Sequence, residues 1–87
     1  MPLSATVDSG ISVILHFAEP VDSMATADGI TVPDAMPVAD WTAGIPTAND
    51  VLIEMSNDPT GSTITIDNTN TIVVNGKPCC PVTLPIT

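Results

Sequence analysis

Hydrophobic and polar residues alternate along much of this chain with a period of two, the spacing that turns one side of a β-strand to a core and the other to water. The clearest case is Ile11-Ser12-Val13-Ile14-Leu15-His16-Phe17. Ile11, Val13, Leu15 and Phe17 share one face and are the first candidates for the core, while Ile14 and His16 share the other. A shorter alternating run, residues 3–7, precedes it across Asp8-Ser9-Gly10, and the two runs around that turn chemistry predict a β-hairpin. Glu19-Pro20 ends the second strand, because proline has no N–H for the ladder and restricts the residue before it. Asp22 is placed to cap a single helical turn over residues 24–27. Gly29-Ile30-Thr31-Val32 reads as a further short strand, stopped by Pro33.

Residues 51–76 carry three more β-type runs, and the rest of the chain is expected to organise around them. Val51, Ile53 and Met55 alternate with Leu52 and Glu54, and Asp58-Pro59-Thr60-Gly61 supplies a turn. Thr63-Ile64-Thr65-Ile66 has the alternation of a sheet with one wet face. After Asp67-Asn68-Thr69-Asn70 the run 71–74 pairs back. Taken in order these predict a β-meander, with the strands of residues 3–32 as a second layer. Asn75-Gly76 is the strongest hairpin signal, since both residues tolerate the positive φ angles of a type I′ turn.

Two segments lack that regularity. Between Pro33 and Asn49 periodicity is lost, and Pro33, Pro37, Gly44 and Pro46 mark a long connection between layers. Trp41 lies in its middle, either as the plug of one end of a sandwich or as an anchor for a partner. From Lys77 to Thr87 prolines recur at Pro78, Pro81 and Pro85, so this stretch is expected as an edge strand or as an extended arm on a neighbouring subunit. The predicted fold class is all-β, one domain over residues 1–87, a small sandwich or barrel built from hairpins with a Pro-rich C-terminal arm at 77–87.

Composition adds an expectation of partners. Phe17 and Trp41 are the only aromatics, and 44% of the 87 residues are hydrophobic against 13% charged. So small a body with so little charge is expected to bury apolar surface on another chain, as a homo-oligomer, a trimer being one form, or on a partner. The net charge of −9, with Lys77 as the single cation, argues against phosphate backbones and anionic membranes as partners. No apolar run approaches the length of a membrane span. Met1-Pro2-Leu3-Ser4 lacks the basic and apolar regions of a secretory signal, so synthesis and assembly in the cytoplasm are expected.

Candidate chemistry is sparse. His16 has no second histidine or cysteine at metal-ligand spacing and reads as a surface or inter-sheet histidine. Cys79 and Cys80 are adjacent, which on an extended chain points them apart; they read as two thiols used as small apolar groups, with inter-subunit disulfides or a labile metal as the alternatives. The scattered carboxylates match no EF-hand spacing. No G-x-S-x-G elbow or phosphate-cradling loop is present, and no cofactor, metal or catalytic activity is expected.

Residues 11–32, ISVILHFAEPVDSMATADGITV, resemble the opening of a bacterial immunoglobulin-like domain of the surface-layer type. Such domains begin with an alternating strand and continue as in Phe17-Ala18-Glu19-Pro20-Val21-Asp22, with a Gly-Ile-Thr-Val-like strand after a short turn. The tyrosine common in the last strand of that family has no counterpart here. The resemblance implies an immunoglobulin-like β-sandwich used for display, spacing or adhesion, with no catalytic residues. In general character the chain is also similar to capsid decoration or cement proteins of phages. The expected function is therefore a non-enzymatic structural protein of a virion, assembled in the host cytoplasm and bound to a major capsid or other virion protein. Its rival is a binding or adhesion module of a longer bacterial surface protein. Candidate partner-binding residues are Trp41, Pro46, Pro78, Pro81, Val82, Leu84 and Ile86.

Overall fold

The first hairpin forms as its alternation requires. In the computed structural model, which describes residues 2–8, 10–24, 29–33, 35–67, 72–79 and 81–87 and of residues 2, 3 and 38–40 the backbone alone, β1 (Pro2–Asp8) pairs antiparallel with β2 (Ser12–Phe17). Gly10 takes a φ of +85° in the turn, a conformation glycine adopts without a Cβ clash. On the other side of β2 lies β6 (Asp50–Met55) and beyond it β5 (Pro37–Ala43), which gives the antiparallel order β1-β2-β6-β5. Val13, Leu15 and Phe17 of β2 are buried together with Val51, Ile53 and Met55 of β6, as the period of two demands. Ile11 departs from the expectation that grouped it with them. It is 41% exposed, because it sits in the turn before the ladder begins.

The remaining strands are short. β4 (Ile30–Thr31), β7 (Thr63–Ile66) and β10 (Val82–Pro85) form a sheet of order β10-β7-β4, and β3 (Val21–Ser23), β8 (Val73–Val74) and β9 (Lys77–Pro78) one of order β3-β8-β9. Ile30, Val32, Ile64, Ile66, Ile72, Val74 and Ile86 join the inward residues of the four-stranded sheet in one continuous hydrophobic cluster. The fold is thus all-β and sandwich-like, and no helix occurs among the described residues.

Residues 51–76 are not a meander. β6, β7 and β8 belong to three different sheets, and both edges of β7 are taken by β10 and β4. The connection 56–62, which contains the buried Pro59, carries the chain from one sheet to another. Alternation fixes which side of a strand is buried, and that side is the same whichever strand lies next to it. For the same reason the layers do not divide at residue 32: β1 and β2 share a sheet with β5 and β6. The expected connection 33–49 contains β5, with Trp41 opposite Ile53 and an irregular register between Pro37 and Trp41. Residues 21–23 form a strand, and the helical turn expected over residues 24–27 lies almost wholly outside the described residues.

Of the two forms expected for the C-terminal stretch, the structure has the edge strand, part of the body, and not the arm. Leu84 pairs with Ile64 and Val82 with Ile66, and Ile86 forms a parallel bridge with Ala5. The Val7 N–H donates to the Thr87 carbonyl at 3.0 Å, the Thr87 N–H to Ala5 at 3.1 Å and the Ile86 N–H to Ser62 at 2.9 Å. Its prolines interrupt no long ladder: Pro78 is in two-residue β9, Pro81 precedes β10, and Pro85 is the last residue of β10. The Asn75-Gly76 turn joins β8 to β9 as predicted, with φ of +50° and +78°.

Candidate contact surfaces and the His16–Asp50 tie

Of the residues expected to meet a partner, two are used by the core. Ile86 is 2% exposed, and Trp41 is half-buried against the core cluster with its indole N–H donating to the Met24 carbonyl at 3.1 Å. Val82 and Leu84 are half-buried and also pack on that cluster. Pro46, Pro78 and Pro81 are exposed, but on separate elements: Pro46 in the β5–β6 turn after a cis Ile45-Pro46 bond, Pro78 in β9 and Pro81 before β10. The seat of Trp41 gives a test of its role. Trp41→Ala is expected to lower stability by about 2–3 kcal/mol, less than the loss at a fully buried tryptophan, and the melting point by roughly 10–20 °C, read by thermal circular dichroism.

The structure brings out other apolar residues instead. Met36 is 70% exposed, Ile45 46% and Ile11 41%. Ile11 and Met36 flank the end of β6: the Met55 N–H donates to the Ile11 carbonyl and the Ser56 N–H to that of Met36, both at 2.8 Å. The Ser56 hydroxyl accepts from the Met36 N–H at 3.0 Å and fixes that segment. Two strand spacings of ~4.8 Å put their backbones on the order of 10 Å apart. Asp8, Ser12 and Glu54 lie in register across the same end of the sheet, so two carboxylates share that end with the apolar pair. In the sequence Ile11 was masked by its place in the period of two, and Met36 by the aperiodic segment between prolines.

At the opposite end of this sheet, on its outer face, a polar chain links three strands. The carboxylate of Asp50, itself only 5% exposed, accepts from His16 Nδ1 at 2.9 Å. A carboxylate accepts and cannot donate, so Nδ1 carries the proton, and in the neutral ring Nε2 is left to accept the Thr6 hydroxyl at 2.8 Å. The other Asp50 oxygen accepts the Thr47 hydroxyl at 2.8 Å and the Thr47 N–H at 3.2 Å. Burial works to raise the Asp50 pKa, but the Thr47 hydroxyl, the His16 imidazole and the Thr47 N–H together outweigh it and hold the carboxyl below its usual 3.8. The histidine was visible in the sequence; its carboxylate, 34 residues away, became its neighbour only through the pairing of β2 with β6, which sets His16 opposite Asp50.

Hydroxyl, imidazole and carboxylate in this order are the parts of an activated nucleophile. Here they lie on the face of a sheet, where the backbone N–H groups run in the sheet plane between strands and do not point at an acyl oxygen above it. The arrangement ties β1 to β2, β2 to β6, and the β5–β6 turn to the start of β6. Among the described residues no three His, Cys, Asp or Glu side chains cluster as metal ligands would. Cys79, half-buried against the core, is disulfide-bonded, which corrects its reading as a free thiol; Cys80 lies outside the described residues. No family profile, no curated protein sequence and no solved structure matches the chain.

Proposed function

We propose that the chain is a non-enzymatic structural module that holds a fixed β-shape and binds neighbouring proteins of a large assembly. Its leading setting is a phage virion, where it would decorate or cement a capsid. What supports an immunoglobulin-like module is the strand order. Along the chain, β1, β2, β4, β5, β6, β7 and β10 take the places A to G of a seven-stranded sandwich whose sheets run A-B-E-D and C-F-G. β3, β8 and β9 are an addition to that plan. The likeness is one of strand order and of residues 11–32, since no solved structure matches.

A fold of this kind does not dictate its partner, so the contact must be argued from the surface. Ile11 and Met36, with Asp8 and Glu54 at the same end of the sheet, suit an apolar socket bordered by lysine or arginine. Self-association is expected through other faces, because two copies meeting at this end would oppose their carboxylates. The double substitution Ile11→Ser, Met36→Ser is expected to leave the melting point within a few degrees, as surface changes of about 0.5 kcal/mol do. It should weaken attachment to the native assembly about tenfold or more; unchanged attachment would remove this end of the sheet from the contact.

Sedimentation of the native protein in lysate from its source separates the settings. Co-migration with a megadalton particle is the expected result. Recovery in an envelope fraction would favour the adhesion module of a longer surface protein, the second reading, which the resemblance over residues 11–32 supports. A slow, free species that turns over an activated ester in a His16-dependent way would overturn the structural role altogether.

A further inference from the structure

We propose that Asn75 is a self-modification site that the fold keeps unreacted through Asp22. An asparagine followed by glycine is open to attack on its own side chain. The glycine nitrogen, once deprotonated, bonds to the asparagine Cγ, the Cγ–Nδ2 bond breaks and the amide nitrogen leaves as ammonia. Water then opens the resulting succinimide to aspartate or to isoaspartate. Water is the only co-reactant, and no electrons are exchanged.

Asn75 meets the requirements of this chemistry. Its side chain is exposed, and Gly76 has no side chain to crowd the ring; even a Cβ there would meet nothing within 4 Å. Two features hold the reaction back. With φ of +50° at Asn75 and +78° at Gly76 the turn is of type I′, which places the Gly76 nitrogen away from the Asn75 Cβ. Closing the ring therefore needs rotation about the Asn75 Cα–C bond, and with it separation of the Val74–Lys77 pair. The second feature is Asp22, whose Oδ2 accepts the Gly76 N–H at 2.6 Å. This charge-assisted bond reaches from β3 to the very nitrogen that must turn and attack.

The change would run one way. Aspartate at this position would put a second carboxylate beside Asp22, and isoaspartate would also lengthen the backbone of a two-residue turn by one carbon. Either product loosens the β8–β9 hairpin from β3, so the turn acts as a clock on the smallest sheet.

The test incubates three samples at neutral pH and body temperature: the folded protein, its Asp22→Ala variant, and the wild-type chain held unfolded in guanidinium. Mass spectrometry follows the exchange of the amide for an acid, located at residue 75 by fragmentation, and an isoaspartyl methyltransferase assay detects the isomer. The folded protein is expected to react about tenfold or more slowly than the unfolded chain, and Asp22→Ala about tenfold faster than the folded wild type, the scale of one hydrogen bond to a charged group. Amide hydrogen exchange at Gly76 should rise in the variant while that of buried Ile64 stays protected, which checks that the core is intact. Equal rates in folded and unfolded chains would overturn the proposal. So would a variant that reacts no faster than wild type, since Asp22 would then be idle or serving as the base.

Discussion

A chain ending at Pro81 is expected to be unfolded. The truncation removes β10, with it the only partner of β7 on one side, and Ile86 from the core. Burying an aliphatic side chain fully contributes about 1.5–3 kcal/mol. Ile86 and the half-buried Val82 and Leu84 together therefore approach the roughly 5–15 kcal/mol by which whole domains are stable, and the lost ladder adds to this. Without residues 82–87 the Val7 N–H and the Ser62 carbonyl also lose their partners. Circular dichroism of the truncated chain should show no cooperative melting, and Ile86→Ala alone should cost about 2–4 kcal/mol. A truncated chain that melts like the full-length protein would make this segment the arm that its prolines suggested.

Asp50→Ala is expected to cost about 2–3 kcal/mol, because it leaves the His16 Nδ1–H, the Thr47 hydroxyl and the Thr47 N–H without their common acceptor. The exposed side of His16, 33% accessible, lets water recover part of the loss and sets the figure below that of a fully buried pair. The pH dependence has a definite sign. The Asp50 pKa is held below 3.8 in the folded protein, so the unfolded chain takes up the proton first as pH falls. The contribution of this carboxylate is complete above its unfolded pKa and is lost as pH drops through the folded one, in the window below about pH 4. Urea unfolding at a series of acid pH values should give a steeper loss for wild type than for Asp50→Asn. Parallel curves would mean that the carboxylate is no better held in the folded chain than in the unfolded one.

What the sequence revealed follows the reach of each signal. The β1–β2 hairpin and the Asn75-Gly76 turn were legible because their partners are adjacent along the chain and the turn residues specify the geometry. The inward faces of β2, β6 and β7 were legible because alternation depends only on which side meets the core. Neighbours across the fold were not. Thr65 faces Thr83 of β10 and Thr31 of β4, and nothing in its own run distinguishes those partners from β6. The Pro-rich end was legible as far as its prolines reach: they exclude a central strand, and β10, which ends on Pro85, is an edge strand, but nothing in the run chose between that edge and an arm. Trp41 was singled out, but the strand holding it was hidden by the prolines at 33, 37 and 46. The His16–Asp50 tie depends on pairing between β2 and β6, so it stayed out of view with the sheet order.

That sheet order carries the functional reading, and its most distinctive contact is the closure of the chain ends, Ala5 against Ile86. The direct measurement is nuclear magnetic resonance of the full-length protein, recording through-space contacts between these two residues and hydrogen exchange at the Val7 and Thr87 amides. The account predicts backbone contacts between Ala5 and Ile86 and slow exchange at both amides, whose donors are used at 3.0 and 3.1 Å. Absence of those contacts, with residues 82–87 exchanging at the rate of a free chain, would contradict the sheet order and remove the support it gives to the proposal of an immunoglobulin-like module.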